Sequence, residues 1–437
     1  MSSLEKTLQL AIDSLNKYDV TDYEISLSSG SGVSTAVRLG KVETLEYHLD
    51  KSFDINIYIG HKKGHASSVD LSKNGIGKTI ESAYLIAKYT QDDPFNGLAP
   101  KELMAYNAPD LDLYYPWDLD SSHSIDLAKQ CEEHALNTPE IDNSDGSEVS
   151  SFQGKGLYAN SNDLVALQKS AKHSLHCSVI AKRGNDMQTA YEYSIALDSN
   201  DLQSAEYVGT QAAKLAIDKL DARSLESQKC PVIFTPRLSG GLFSQLLGAL
   251  GGSRQYKKST FLLNSLDKLV MPKGISLLEN PLAKKTIGAK AFDRDGVLKR
   301  RQYFVEDGRV KSYVLSQYSA NQLDLSTTAN SGGVNNVIVE HGFNTNLDDM
   351  IKDMHKGLIV TELMGQGVNI TTGNYSRGAL GFWVENGKIQ YPVSGITIAG
   401  NLKDMLLGIN SIGTDIDNRN NIKVGSVMIN EMTIAGE

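Results

Sequence analysis

The sequence predicts an α+β protein of two domains, each a mostly antiparallel β-sheet with flanking helices, the C-terminal one rich in β-structure. Three observations carry this. Runs that alternate apolar and polar residues recur between turns marked by glycine and asparagine, the pattern of antiparallel sheets. Segments with apolar residues at helical spacing flank those runs. A polar stretch rich in Ser, Arg and Glu, residues 220–229, divides the chain into an expected N-terminal domain, 1–225, and a C-terminal domain, 226–437. At roughly 150 residues per domain, 437 residues suit two large domains or three smaller ones, with ample core in either case.

Composition narrows the class. Hydrophobic residues make up 40% and charged ones 22%, and the net charge is −9. No Lys/Arg run would track a phosphate backbone, which argues against nucleic acid as a direct ligand. Cys131, Cys177 and Cys230 are far apart, odd in number and in no C-x-x-C pattern, as expected in a reducing compartment. The N-terminal stretch mixes acids and bases at amphipathic spacing and lacks the pattern of a signal peptide. No run approaches ~18 apolar residues, so no membrane span and a cytoplasmic location are expected.

Residues 4–17 set Leu4, Leu8, Ala11, Ile12 and Leu15 on one helical face. Residues 23–28, 33–39, 42–48 and 53–59 then alternate, with Gly30, Gly32, Gly40 and Gly60 between them, and predict a meander. His61 and His65 lie at a glycine-broken tip and are expected to be solvated rather than metal-binding. A helix over 74–89 precedes a Pro-, Asp- and Tyr-rich connection, 99–120, expected to wrap the surface. A helix over 124–137, capped by Ser122 or Ser124, leads to strands at 148–153, 156–161, 163–176 and 179–193. On a strand, His173 and Cys177 share a face that His176 opposes, so these three do not close on one ion. A helix over 203–219 ends the half.

The second half opens with a strand at 230–235 and a helix over 238–251, apolar nearly all round and therefore expected to be buried. Asp293, Asp295 and Gly296 mark a turn, since no Glu follows at calcium-loop spacing. A hairpin over 305–316, a strand within 330–341, a helix over 347–354, a helix over 401–412 and a strand over 424–434 complete the outline. The stretch 359–400 organises this half. Runs at 367–372, 381–384, 389–393 and 396–399 alternate with turn signals at Gly373-Asn374, Arg377-Gly378 and Asn386-Gly387. Asn-Gly between apolar runs predicts a hairpin over 381–393. The density of glycine suggests close backbone approach, as at the floor of a cleft.

The same stretch carries a resemblance. Thr372-Gly373-Asn374-Tyr375-Ser376-Arg377-Gly378-Ala379, Gly381-Phe382-Trp383, Tyr391-Pro392-Val393 and Ile396-Thr397-Ile398-Ala399-Gly400-Asn401-Leu402 are similar to the PmbA (TldE) branch of the TldD/PmbA metallopeptidase family, once described as modulators of DNA gyrase. Arg38-Leu39-Gly40-Lys41-Val42-Glu43 and the segment 83–98 extend the resemblance into the first half. In the TldD branch, the helix after the domain boundary carries a His-Glu-three-residues-His motif, and a cysteine near the C-terminus completes the metal set. On the helix over 238–251 those positions fall on Ser244, Gln245 and Ala249, and no cysteine lies near 420–424. A zinc site needs imidazole, thiolate or carboxylate donors and a base beside the metal water. Hydroxyl, amide and methyl supply none of these.

The resemblance therefore implies a non-catalytic subunit of a heterodimeric zinc metalloprotease. No cofactor is expected in this chain, and zinc is expected in the TldD-type partner. The implied substrates are unfolded peptides, as in microcin maturation and antitoxin degradation. Such flexible chains suit recognition by strand addition at a sheet edge. The expected cavity-lining loop is Asn374, Tyr375, Ser376 and Arg377, with Arg377 placed to pair with a carboxylate. His341 and Arg254 are further substrate-binding candidates, and no catalytic residue is assigned. Alone, the chain is a candidate homodimer. The competing classes are a regulatory binding protein and a metal-independent hydrolase, although no G-x-S-x-G elbow is present.

Overall fold

The computed structural model describes residues 3–436. Met1, Ser2 and Glu437 lie outside the described residues, and with them the first two positions of the stretch that lacks signal-peptide character. In the first half, α1 (Ser3–Leu15) leads into β1 (Asp22–Arg38), β2 (Lys41–Ile59), β3 (Lys62–Ser68) and α2 (Lys73–Tyr89). After the long connection come α3 (Ser121–Leu136), β4 (Ile141–Asn160), β5 (Val165–Arg183), β6 (Asp186–Ala196) and α4 (Ala205–Ile217). The strands form one antiparallel sheet in the order β3-β2-β1-β4-β5-β6. Alternation sets Ile25, Leu27 and Val33 on one face. All four helices cover that face. α1 and α2 pack over Ile25, Leu27, Phe53 and Ile55, and α3 and α4 over Val33, Val149, Leu175 and Val179.

The strands are longer than the sequence suggests. β1 runs straight through Gly30 and Gly32. A Cβ on Gly32 would lie 2.4 Å from the Phe152 ring, and one on Gly30 would lie 3.2 Å from the Gln153 carbonyl oxygen. These glycines admit close strand neighbours and make no turn. The expected strands at 148–153 and 156–161 are likewise one strand, β4. The turn between β5 and β6 falls at Gly184, whose φ is +61°, and not near residue 178. Asp120, rather than Ser122 or Ser124, caps α3 by accepting from His123 N at 2.8 Å. Ser124 is buried and meets Thr35 Oγ1 at 2.8 Å.

The second half contains β7 (Gln228–Phe234), α5 (Pro236–Ala249), α6 (Gly252–Tyr256), β8 (Ser276–Glu279), β9 (Gln302–Glu306), β10 (Arg309–Val310), α7 (Gln317–Leu323), β11 (Val337–Glu340) and α8 (Leu347–Met354). It ends with β12 (Gly357–Met364), β13 (Asn374–Glu385), β14 (Lys388–Asn401), α9 (Leu402–Leu407), β15 (Ile409–Ile412), β16 (Ile422–Lys423) and β17 (Val427–Ala435). One sheet has the order β10-β9-β8-β11-β16 and the other β14-β13-β12-β7-β17-β15. In the latter, β14 also pairs with β17, Thr397–Ala399 against Thr433–Ala435, which closes a barrel. β7 with β12 and β11 with β16 are parallel; the other pairings of this half are antiparallel.

The β13–β14 hairpin turns at Asn386 and Gly387, whose φ values of 52° and 66° are what a two-residue hairpin loop requires. Other expectations fail here. Residues 367–372 form a loop, and β13 runs through Arg377-Gly378 without turning. A Cβ on Gly381 would lie 1.7 Å from the Ile359 carbonyl oxygen, so that glycine permits a bulge between β12 and β13. The expected helix over 401–412 stops at Gly408, and Ile409–Ile412 pairs with β17 as a strand. The connection 99–120 is partly buried. Met104, Leu111, Tyr158 and Leu164 of the first half pack on Ala289, Phe292 and Val297 of the second. Among the described residues no helix is long and apolar enough to cross a membrane.

Candidate functional site

α5 begins at Pro236, whose fixed φ suits the first helical position. Leu242, Phe243, Leu246, Leu247 and Ala249 face the core beside Val232, Phe234, Leu358 and Val360. The helix is not buried all round, as its composition suggested. Gly241, Ser244 and Gly248 are exposed and Gln245 is half-buried, because glycine and serine form a face with little apolar surface to hide. Of the positions aligned with a metal motif, Ser244 offers a hydroxyl to solvent, Gln245 an amide, and Ala249 a buried methyl. Among the described residues no three His, Cys, Asp or Glu side chains gather as a metal set. The residues present therefore do not fit a catalytic zinc.

The first turn of α5 opens on a cavity of about 690 Å³ between the two halves. Its walls come from β6, the end of α4, β12, β13 and residues 415–420. Three cations from three elements reach the outer edge of β6. Lys219 Nζ donates to Thr189 O at 2.8 Å, Arg237 to Tyr191 O at 3.3 Å, and Arg419 Nη1 to Tyr193 O at 2.8 Å. Each also has a carboxylate. Glu362 lies 2.5 Å from Lys219, and Glu192 bridges Arg419 at 2.6 Å and Arg237 at 3.7 Å. Asp417 takes Arg419 in a fork at 2.9 and 2.8 Å. The guanidinium of Arg419 lies 4.4 Å over the Tyr193 ring, and that of Arg237 lies 4.9 Å over Tyr191.

The electrostatics follow from these contacts. Hydrogen bonding to Asp417 raises the Arg419 pKa despite partial burial. Burial alone would raise Asp417. The hydrogen bonds from Arg419, with the charges of Arg419 and Arg237, outweigh it and hold Asp417 below the usual carboxylate range. Burial pushes the Asp218 carboxyl up. Every cation at this edge is thus neutralised and every outward carbonyl from Thr189 to Tyr193 is satisfied. β12 and β13 are flanked on both sides within the barrel. The cavity offers no free edge for an added strand.

The substrate-binding candidates sit elsewhere. None of Asn374, Tyr375, Ser376, Arg377, His341 and Arg254 lines the cavity. Asn374 to Arg377 are the start of β13, paired with β14, and not a loop. Asn374 and Ser376 are exposed. Tyr375 is buried edge-on to Phe234 at 6.5 Å, and burial pushes its phenol up to about 12. The Arg377 guanidinium donates to Leu363 O at 3.4 Å, and its Nε has no hydrogen-bond partner. His341 follows β11, half-buried beside Phe343 at 5.8 Å, and burial lowers its pKa. Arg254 is exposed on α6. His61 and His65 bind separate partners, Asn96 O and Asn56 Oδ1.

Two features bear on metal-free chemistry. His173 Nδ1 meets Ser151 Oγ at 2.9 Å while its Nε2 meets Tyr115 O at 2.8 Å. This serine–histidine pair is fully buried under Trp117 and has no substrate access. All three cysteines are free and buried. Sequence reasoning missed Glu192, Lys219, Arg237 and Arg419. The one local signal was the alternation Tyr191-Glu192-Tyr193.

Three family models match the chain: PmbA/TldA metallopeptidase domain 1 over residues 23–87, the central domain over 114–220 and the C-terminal domain over 227–436. The metalloprotease PmbA of Escherichia coli O157:H7 is 43% identical over 415 residues, covering 95% of this chain and 92% of that protein. The PmbA homolog of Haemophilus influenzae is 41% identical, covering 94% and 92%. A crystal structure of a proposed modulator of DNA gyrase from Bacteroides thetaiotaomicron superposes with a TM-score of 0.94 at 26% identity over the whole of both chains.

Proposed function

Because this chain belongs to the PmbA branch of the PmbA/TldD metallopeptidase family, we propose that it is the non-catalytic subunit of a heterodimeric zinc metalloprotease. The observation that carries this reading is helix α5, where exposed Ser244, half-buried Gln245 and buried Ala249 stand in place of every expected ligand and base. Zinc then resides in a TldD-type partner, where it activates the water that cleaves the peptide. The substrates are unfolded peptides, such as microcin precursors and unfolded antitoxins, met in the cytoplasm.

In this reading the chain shapes a chamber. The small side chains of Gly241, Ser244 and Gly248 leave room along α5 for an extended segment without holding it. Asn374, Ser376 and Arg377 supply polar contacts at one wall, with His341 and Arg254 as weaker contributors. The division at 225/226 separates a helix-backed sheet from the barrel that bears α5. The test is cleavage of an unfolded peptide by a TldD-type subunit with and without this chain. Stimulation is expected, together with co-purification of the two. Equal rates in both arms, with no complex, would favour a regulatory binding protein. Hydrolysis by the pure chain in the presence of chelator would favour the independent hydrolase.

A further inference from the structure

A cavity of about 220 Å³ lies between α9 and residues 261–270, away from the charged one. Its walls are largely apolar. Leu262, Val270 and Leu406 are buried, and Leu269 and Leu407 are 41% and 46% exposed at its rim. Three polar side chains interrupt that surface. Lys268 and Lys403, one from each side, are exposed, and neither ammonium has a partner among the described residues. The carboxylate next to Lys268, that of Asp267, faces Lys311 at 4.0 Å. Ser265 is 2% exposed. Its N–H donates to the Tyr313 hydroxyl at 3.1 Å and its carbonyl accepts from Lys268 N at 3.0 Å, yet its own hydroxyl has no partner. Buried hydroxyls are ordinarily satisfied. An apolar pocket with an unpaired hydroxyl and two unpaired cations has the make-up of a ligand site.

The pocket is held in shape from behind. Buried Gln255 donates to Leu262 O at 3.0 Å and accepts from Asn264 N at 3.2 Å, and Phe261 N donates to Ile370 O at 3.0 Å. A wall fixed in this way loses little freedom when a ligand binds. The volume is below the roughly 300–1,000 Å³ of sites for drug-sized ligands and suits a single apolar side chain. The two ammoniums call for a negative charge beside that side chain. The last residue of a peptide supplies both, whereas an internal apolar residue would leave the lysines unmatched. The position also suits a peptide. Ile370, which accepts from Phe261, lies against α5, its Cδ1 3.8 Å from where a Cβ on Gly248 would stand. We propose that this pocket holds the C-terminal residue of an unfolded peptide. Its leucine-like side chain enters between Leu269 and Leu407, its carboxylate sits between Lys268 and Lys403, and its last N–H reaches the Ser265 hydroxyl. The proposal rests on the reading that unfolded peptides lie along α5.

The test titrates a short unstructured peptide ending in leucine, labelled with fluorescein at its N-terminus, against the purified full-length chain and reads anisotropy. The free-acid peptide should bind at least about tenfold more tightly than the same peptide amidated or ending in lysine. Lys268→Glu together with Lys403→Glu should abolish that preference, and both positions are exposed, so the fold is retained. Ser265→Ala should weaken the free-acid peptide, and 4-methylpentanoate, which has the side chain and carboxylate without the N–H, should compete more weakly than the unlabelled peptide. Equal binding of acid and amide, no binding, or indifference to the double lysine variant would overturn the proposal. Equal competition by 4-methylpentanoate would do so too, by assigning the pocket to a small acid. The measurement needs no TldD-type subunit. Lost tail selectivity with stimulated cleavage intact rejects the pocket alone; tail-selective binding without stimulation rejects the subunit reading alone.

Discussion

The outer face of α5 and the outer edge of β6 carry opposite chemistry, and only the first turn of α5 reaches the interdomain cavity that β6 lines. Past its first turn, the exposed side of α5 presents glycine, serine and glutamine, none of which ionises. The β6 edge gathers three cations and their carboxylates, all mutually engaged. One region lacks ionisable groups; the other lines the cavity with charges that are already paired with one another. The charged edge clamps the two halves together.

The inner face of α5 should be the most sensitive part of this arrangement. Phe243 is fully buried in the barrel core. Phe243→Ala should cost about 3–5 kcal/mol in chemical denaturation. Next comes the clamp. Glu192→Ala removes the carboxylate shared by Arg237 and Arg419, leaving two half-buried guanidiniums short of a partner. A loss of about 2–4 kcal/mol is expected, with no loss for an exposed pair such as Lys352–Asp349. If Glu192→Ala proves neutral, the clamp reading fails.

The contacts between the halves should also differ in pH response. Asp293 lies where the second half meets Tyr158. Burial and the neighbouring Asp295 push its pKa up to about 7, against three backbone N–H donors. The folded chain then holds a proton that the unfolded chain releases, so stability falls as pH rises from about 4 to about 7. Asp293→Asn should flatten that slope. Asp417 in the clamp has the opposite sign. Its folded pKa is depressed, so its contribution is complete above the unfolded value and is lost as pH falls through the folded one. Asp417→Asn should blunt acid unfolding and leave the neutral range flat. The smallest effect belongs to the outer face of α5. Ser244→Ala and Gln245→Ala should change stability by less than about 0.5 kcal/mol and leave cleavage by the complex unchanged.

Local chemistry made part of this fold legible. Asn386-Gly387 fixed a hairpin because few residue pairs accept positive φ at both positions. The helix expected over 347–354 is found at Leu347–Met354, where Asn346 caps it by accepting from Asp349 N. Glycine misled where close packing was its purpose. Gly30 and Gly32, set between expected strands, lie instead within β1, where Gly32 sits beneath Phe152; Gly381 beside Ile359 makes the close approach that the glycine density suggests. The metal-motif positions were legible only through a resemblance, which places a helix register that composition cannot. The charged cavity left only the alternation Tyr191-Glu192-Tyr193 as a local signal. Glu192 and Arg419 are 227 positions apart, and only strand order brings them together. Arg377, read as a loop residue, is held in a strand because its neighbours on β14 complete a ladder that no local signal reveals.

The most direct test of the account is elemental analysis of the purified chain after equilibration with zinc, with peptide hydrolysis measured on the same sample. The expected result is far less than one zinc per chain and no cleavage until a TldD-type subunit is added. A stoichiometric ion retained on this polypeptide, with hydrolysis that a chelator abolishes, would contradict it.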